Sequence, residues 1–270
     1  MASSNGSIYG MFSELERAVS AYEKEAAAIT LKEGDKEEIF KFLGPEDSKR
    51  YLAIKNLYLE LTLPHQQTAA RIVHECAKDL SELIIPESGQ HLTSEQIEAI
   101  TFGGRVHDMG KIMWSAQMHY LSGPLFSALD KESKEKYKSH ALHGLALLSL
   151  VNSKSGREIL PKRDLEIPRN IIRQHGECYD GSGNPDGLER DAISFEARIF
   201  GIFDIYAALV EDRPYRSNSF THENALKILC EERGKKFDPG LLGPIHQALV
   251  RNTTAIKKIV KEAQELSISV

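Results

Sequence analysis

His107 and Asp108 stand side by side at the end of an apolar stretch and are followed by Gly110 and Lys111. An imidazole and a carboxylate in this arrangement can bind one divalent cation. The second carboxylate oxygen can reach another, so Asp108 is a natural bridging ligand. Lys111 follows His107 by four residues. A helix through this segment would put both on one face, where the ammonium can meet a phosphate oxygen. A His-Asp pair alone is weak evidence. It gains weight from His140, His175 and Asp204, which follow at intervals of about thirty to thirty-five residues. Each falls on or beside a predicted helix, and that spacing suits successive antiparallel helices that each deliver one ligand to a bundle core. Asp204 interrupts the apolar run Ile199, Phe200, Ile202, Phe203, Ile205. A carboxylate buried there needs a partner, and a metal ion is one.

The elements that must position these groups are helical. Residues 66–83 predict one long amphipathic helix with Ala69, Ile72, Val73, Cys76, Ala77 and Leu80 on one face. Residues 85–92 read as a loop. Thr93 or Ser94 can cap the next helix, with Gln96 at the capping-box position for Thr93, and that helix carries Ile97, Ile100, Val106 and then His107. Further helices are expected at 135–151, 167–174, 194–211, 222–232 and 239–261. Residues 180–187 form a tight, glycine-rich loop. Alternating β-branched runs are nearly absent and no internal repeat is found. The expected fold class is therefore all-α, a multi-helix bundle with the metal site in its core. Pro64 separates a domain at 63–270 from a helical N-terminal region at 1–62. In that region Ile8, Phe12, Leu15, Val19, Tyr22, Ala26 and Ile29 recur at alternating steps of four and three. This seam either packs on its own domain or forms a homodimer contact.

The chain has 270 residues and a net charge of −5, so electrostatics favours neither DNA nor an anionic membrane. An anionic substrate would need a local attractor such as a metal ion. No apolar run has the length of a membrane span, and the first ten residues lack the order of a signal peptide. Cys76, Cys178 and Cys230 are odd in number and widely spaced, which suggests reduced thiols and a cytoplasmic protein.

In combination, the motifs resemble the HD-GYP domains. Residues 107–112 (HDMGKI) are similar to the family's HDxGKI, and His140 to Gly144 to its HxxxG element. Residues 175–188 (HGECYDGSGNPDGL) resemble HHExxDGSGYPDGL, and residues 197–216 (ARIFGIFDIYAALVEDRPYR) resemble ARIxxxxDxxDALxxxRPYR. Phe237, Asp238 and Pro239 resemble a closing FDP. The resemblance covers about two thirds of the chain. It implies a helical bundle holding at least two divalent metal ions, usually iron or manganese, with cyclic di-GMP as substrate, cleaved to pGpG or GMP. The metals would activate a water and clamp the phosphate. Carried over, the ligands are His65, His107, Asp108, His140, His175 and Asp204. Lys111 would neutralise charge on the phosphate. Asp180, Asn184, Arg213 and Arg216 are the remaining candidates for substrate contact, the arginines because they can hold phosphate bidentately.

Four positions depart from the family pattern. The second of the paired histidines is Gly176, the GYP tyrosine is Asn184, the second aspartate of DxxD is Ala207, and the glutamate four residues before His65 is Leu61, with Glu60 beside it. The last two losses argue for two metals rather than three. The first two keep three readings open. They are a cyclic di-GMP phosphodiesterase, a degenerate domain that binds a cyclic dinucleotide or a protein without hydrolysis, and an HD phosphohydrolase for another nucleotide. His143 is expected to be a spectator beside His140. His74, His91, His119, His222 and His246 belong to no constellation.

Overall fold

The computed structural model describes residues 63–113, 130–154, 165–212 and 219–268. The N-terminal seam, Leu61, and the arginines of the RPYR segment lie outside the described residues. Nine helices account for most of what is described: α1 (Leu63–Glu75), α2 (Ala77–Leu80), α3 (Ser94–Val106), α4 (Lys131–Lys154), α5 (Glu166–Gln174), α6 (Phe195–Val210), α7 (His222–Glu231), α8 (Pro239–Arg251) and α9 (Thr253–Ile268). Short 3₁₀ turns occur at Met109–Met113 and Arg190–Ala192. Among the described residues the only β pairing is three isolated bridges, one of which ties Ile84 to His91. The all-α expectation holds. No described helix is long and apolar enough to cross a membrane.

The most apolar helix, α6, is the axis of the bundle. Ser194 starts it by accepting from the Ala197 amide, and Phe200, Phe203, Ile199, Ile202, Tyr206 and Ala207 are fully buried along it. A side chain of this size contributes roughly 1.5–3 kcal/mol when buried, so this row alone explains why α1, α3, α5, α7 and α8 all gather on α6. Helix α3 begins with the expected capping box. The Gln96 amide donates to Thr93 Oγ1 at 3.2 Å, and the Thr93 amide donates to Gln96 Oε1 at 3.0 Å.

Two expected helices are broken, and the breaks face each other. The helix predicted over 66–83 bends at Cys76 (φ −84°, ψ 7°), and the one predicted over 239–261 stops at Asn252. Neither position is a proline or a glycine. The cause is tertiary: Asn252 Nδ2 donates to Ala248 O at 2.9 Å and to Asp79 Oδ2 at 3.0 Å, which stitches the two bends together. Cys76, Cys178 and Cys230 are all free thiols. Burial, with help from nearby Asp79 and Glu75, pushes the Cys76 thiol up to about 12.

One contact sets the site. Gly110 in the first 3₁₀ turn packs directly on Gly144 of α4. A Cβ at Gly110 would collide with the His140 carbonyl oxygen, and a Cβ at Gly144 would come within 2.8 Å of Ile172 Cγ2 on α5. Backbone-to-backbone approach at this crossing brings Asp108, His140 and His175 to one point.

Candidate metal centre

The six expected ligands converge. Two groups of donor atoms form, one from His65, His107 and Asp108 and the other from Asp108, His140 and His175, with the donor atoms of each group within 4.8 Å of one another. Asp108 belongs to both. Asp204 completes the first group: its Oδ1 is 2.9 Å from His65 Nε2 and 3.3 Å from His107 Nε2. In the second group, Asp108 Oδ1 is 3.3 Å from His140 Nε2 and 3.6 Å from His175 Nε2. His107, Asp108, His140 and His65 are buried. His143 enters neither group.

Each ring is oriented from behind. His107 Nδ1 donates to Gly104 O at 2.8 Å, His140 Nδ1 to Tyr137 O at 2.5 Å, and His175 Nδ1 lies 3.1 Å from both Ile171 O and Ile172 O. His65 Nδ1 instead faces Glu211 Oε2 at 2.8 Å. With Nδ1 carrying the hydrogen, every Nε2 presents a lone pair to the centre. There it meets carboxylate oxygens, which are also acceptors. Two acceptors face to face in a dry interior require a proton or a metal cation between them. His107 Nε2 and Asp108 Oδ1 are indeed buried without a well-formed hydrogen bond among the described residues. Imidazole and carboxylate donors in two groups sharing a bridging carboxylate suit a pair of divalent ions, so the residues present fit such a centre.

The carboxylates draw positive charge, proton or metal ion, to the same point. Burial alone would lower the basicity of His107, but Asp108 and Asp204 outweigh it and lift the imidazole to about 10. Burial would likewise raise both carboxyls; Lys111 and His107 hold Asp108 well below the usual carboxylate range, and His107 and His65 do the same for Asp204. For His140, burial prevails over Asp108 and pushes the imidazole's basicity down, favouring its neutral form.

Three helices end at this centre. The C-cap residues of α3, α5 and α6 are His107, His175 and Glu211. The Nδ1–H groups of the first two satisfy carbonyls that a helix terminus would otherwise leave without partners.

Lys111 reaches the site by a different route from the one expected. Helix α3 ends at Val106, and Lys111 sits in the 3₁₀ turn, so it does not share a helical face with His107. The tighter turn carries Lys111 to Asp108, three residues earlier, where its Nζ forms an ion pair with Oδ2. Its ammonium also lies 5.9 Å from the centre of the Tyr137 ring. Burial works against the charge, yet Asp108 keeps the ammonium's basicity raised.

The glycine-rich loop is stapled next to His175. Glu177 accepts from the Asp186 amide at 2.7 Å and the Leu188 amide at 3.0 Å. Asp180 is exposed and turned onto its own loop; its Oδ1 accepts from the Ser182 amide at 3.0 Å and from Ser182 Oγ at 2.6 Å. The Asn184 amide donates to Gly176 O at 2.9 Å. A Cβ at Gly176 would lie 3.1 Å from Asn184 O. Ala207 is buried in the apolar core and offers no donor atom. Arg213 and Arg216 lie outside the described residues. Two residues were not singled out in the sequence, Glu177 and Glu211. Glu177 has a signal there, since a lone carboxylate beside a loop rich in glycine can gather its amides. Glu211 has none, because it precedes Asp212 and reads as part of a solvated helix end. His222, in no constellation, is a satisfied core histidine between Tyr206 (2.5 Å) and Thr253 (2.9 Å).

Comparison with known proteins agrees with this geometry. The HD domain family matches residues 55–241, more than half of the chain. The chain belongs to the HD domain family, as a divergent member of the HD-GYP type. It is 33% identical over 168 residues to the cyclic di-GMP phosphodiesterase response regulator RpfG of Xanthomonas campestris, a match covering 62% of this chain and 40% of that protein. A cyclic di-GMP phosphodiesterase of Vibrio cholerae is 28% identical over 197 residues, covering 72% of this chain and 38% of the relative. The 3'3'-cGAMP-specific phosphodiesterase 2 of the same organism is 27% identical over 151 residues, covering 56% and 26%. The matches thus span between about a quarter and two fifths of these curated relatives.

Proposed function

We propose that this chain hydrolyses a phosphodiester of a cyclic dinucleotide, cyclic di-GMP first, to the linear dinucleotide pGpG or to GMP. The observation that carries the proposal is the pair of donor groups joined at Asp108. The names of the relatives support the substrate class. On this reading His65, His107, Asp108 and Asp204 hold one divalent ion and Asp108, His140 and His175 the other, iron or manganese in each place. When bound, such ions polarise a phosphate oxygen and lower the pKa of a water to near neutrality. The residues do the rest. Asp108 holds the two halves at one distance. The backbone carbonyls behind the rings keep every Nε2 aimed inward. Lys111 stands charged on Asp108 and meets negative charge as it builds on the phosphate. Arg213 and Arg216 are assigned to the substrate's phosphates, and Asn184 and Asp180 to the loop that borders it. A cytoplasmic setting belongs to this reading and is supported by the free thiols. The role of residues 1–62, including a homodimer contact through their apolar seam, belongs to the same proposal.

The test is turnover of cyclic di-GMP and of 3'3'-cGAMP by anaerobically purified protein loaded with iron or manganese, followed by chromatography of the products. Asp108→Ala is expected to lose both ions and all turnover. Turnover of neither nucleotide by wild-type protein that binds about two metal ions per chain would overturn the hydrolytic reading. A second reading, binding without hydrolysis, is favoured by Gly176, which leaves the second donor group without a side chain at that position.

A further inference from the structure

Glu211 occupies an unfavourable place for a carboxylate. It is buried, and it is the C-cap of α6, where the helix's carbonyl ends already concentrate partial negative charge. A buried anion at that terminus weakens the fold unless a cation compensates it. His65 supplies a hydrogen-bond donor to it. Glu211 Oε2 lies 2.8 Å from His65 Nδ1, and the opposite nitrogen of that ring points at Asp204, 2.9 Å away. The contact spans 146 residues of sequence and joins α1 to the end of α6. It also separates His65 from the other three histidines, whose Nδ1 atoms all face backbone carbonyls. A carboxylate behind an imidazole fixes its tautomer and makes the far nitrogen a stronger donor than a carbonyl does.

We propose that Glu211 is a positioning residue of the first donor group. It holds His65 with Nε2 turned to the centre and strengthens that nitrogen toward a divalent cation. Glu211 itself touches neither cation nor substrate. The inference rests on the reading of His65 as a ligand.

The experiment uses the full metal-free chain and Mn²⁺ alone, titrated calorimetrically, with the electron paramagnetic resonance of bound Mn²⁺ as a second readout. Wild type, Glu211→Gln and His65→Ala are compared. The glutamine keeps size and a hydrogen-bond acceptor and removes only the charge. Glu211→Gln is expected to weaken one of the two Mn²⁺ ions roughly ten- to a hundred-fold. The other ion, and the melting temperature of the metal-free chain, should stay unchanged. Glu211→Asp, which retains the charge on a shorter stem, should recover part of the lost affinity and serves if the glutamine variant does not fold. Wild-type Mn²⁺ binding by Glu211→Gln, with one ion lost from His65→Ala, would overturn the role of Glu211 while sparing His65. So would a lowered melting temperature with unaltered affinity, since that marks a purely structural contact. Wild-type binding by His65→Ala would instead remove the ligand reading itself, and the proposal with it.

Discussion

His65, His107 and Asp204 stand on three helices of the apolar core, whereas His140 and His175 stand at its margin, one of them beside a glycine-rich loop. The first group brings Asp204 in addition to the shared Asp108, with Glu211 behind His65. The second has no carboxylate of its own among the described residues, and Lys111 stands on the Asp108 side chain it must share. The consequence is visible in the imidazoles. His107 is raised to about 10 by its two carboxylates, while His140 is pushed down by burial. One half of the site attracts positive charge strongly, and the other holds a neutral donor in place. Of the four departures from the family pattern, Gly176 is the one next to His175, in the second half.

Three substitutions sharpen or break this contrast. The largest effect is expected at the joint between the halves. Gly110→Ala would drive a methyl group into the His140 carbonyl. We expect a loss of about 4 kcal/mol or more, at the severe end for single substitutions. Denaturant unfolding measures it, and a loss under about 1 kcal/mol would mean that the two halves are not locked by this crossing. The next effect is confined to the margin. Glu177→Gln leaves one of the Asp186 and Leu188 amides without its acceptor and should cost about 1–3 kcal/mol of stability. It should also raise KM more than it lowers kcat, because the loop is changed and the donor groups are not. An equal fall in Mn²⁺ binding by both groups would show that the loop supports the core half too.

The smallest effect tests the missing imidazole. Gly176→His is expected to tighten the weaker ion by roughly tenfold. A modest drop in melting temperature should accompany it, because the Asn184 carbonyl 3.1 Å away must give. Metal titration beside a thermal melt separates the two contributions. Unchanged affinity would mean that position 176 does not face the centre, and that the weakness of this half has another cause.

Much of the core half was legible in the sequence. Thr93 and Gln96 announce the start of α3, and Asp204 is conspicuous because every neighbour on its helix is apolar. What escaped depended on contacts distant in the chain. The bends at Cys76 and Asn252 are tied together by the Asn252–Asp79 hydrogen bond, a contact between segments far apart in the chain. Glu211 reads as a solvated charge until α1 lays His65 against it. The geometry of Lys111 was misjudged for a local reason. The close packing of Gly110 on Gly144 goes with a tighter turn, and a spacing of three to Asp108 replaces the expected spacing of four to His107.

The three helix ends that meet at the centre also dictate an order of events. Carbonyl termini carry partial negative charge, and here they are joined by the carboxylates of Asp108, Asp204 and Glu211. Such a place disfavours a phosphodiester for as long as it lacks cations, since the ammonium of Lys111 is paired with Asp108. The nucleotide therefore comes second. On the proposed function, a chain stripped of its ions would be closed to an anionic substrate by like charge, and the supply of metal would be the first gate on its turnover.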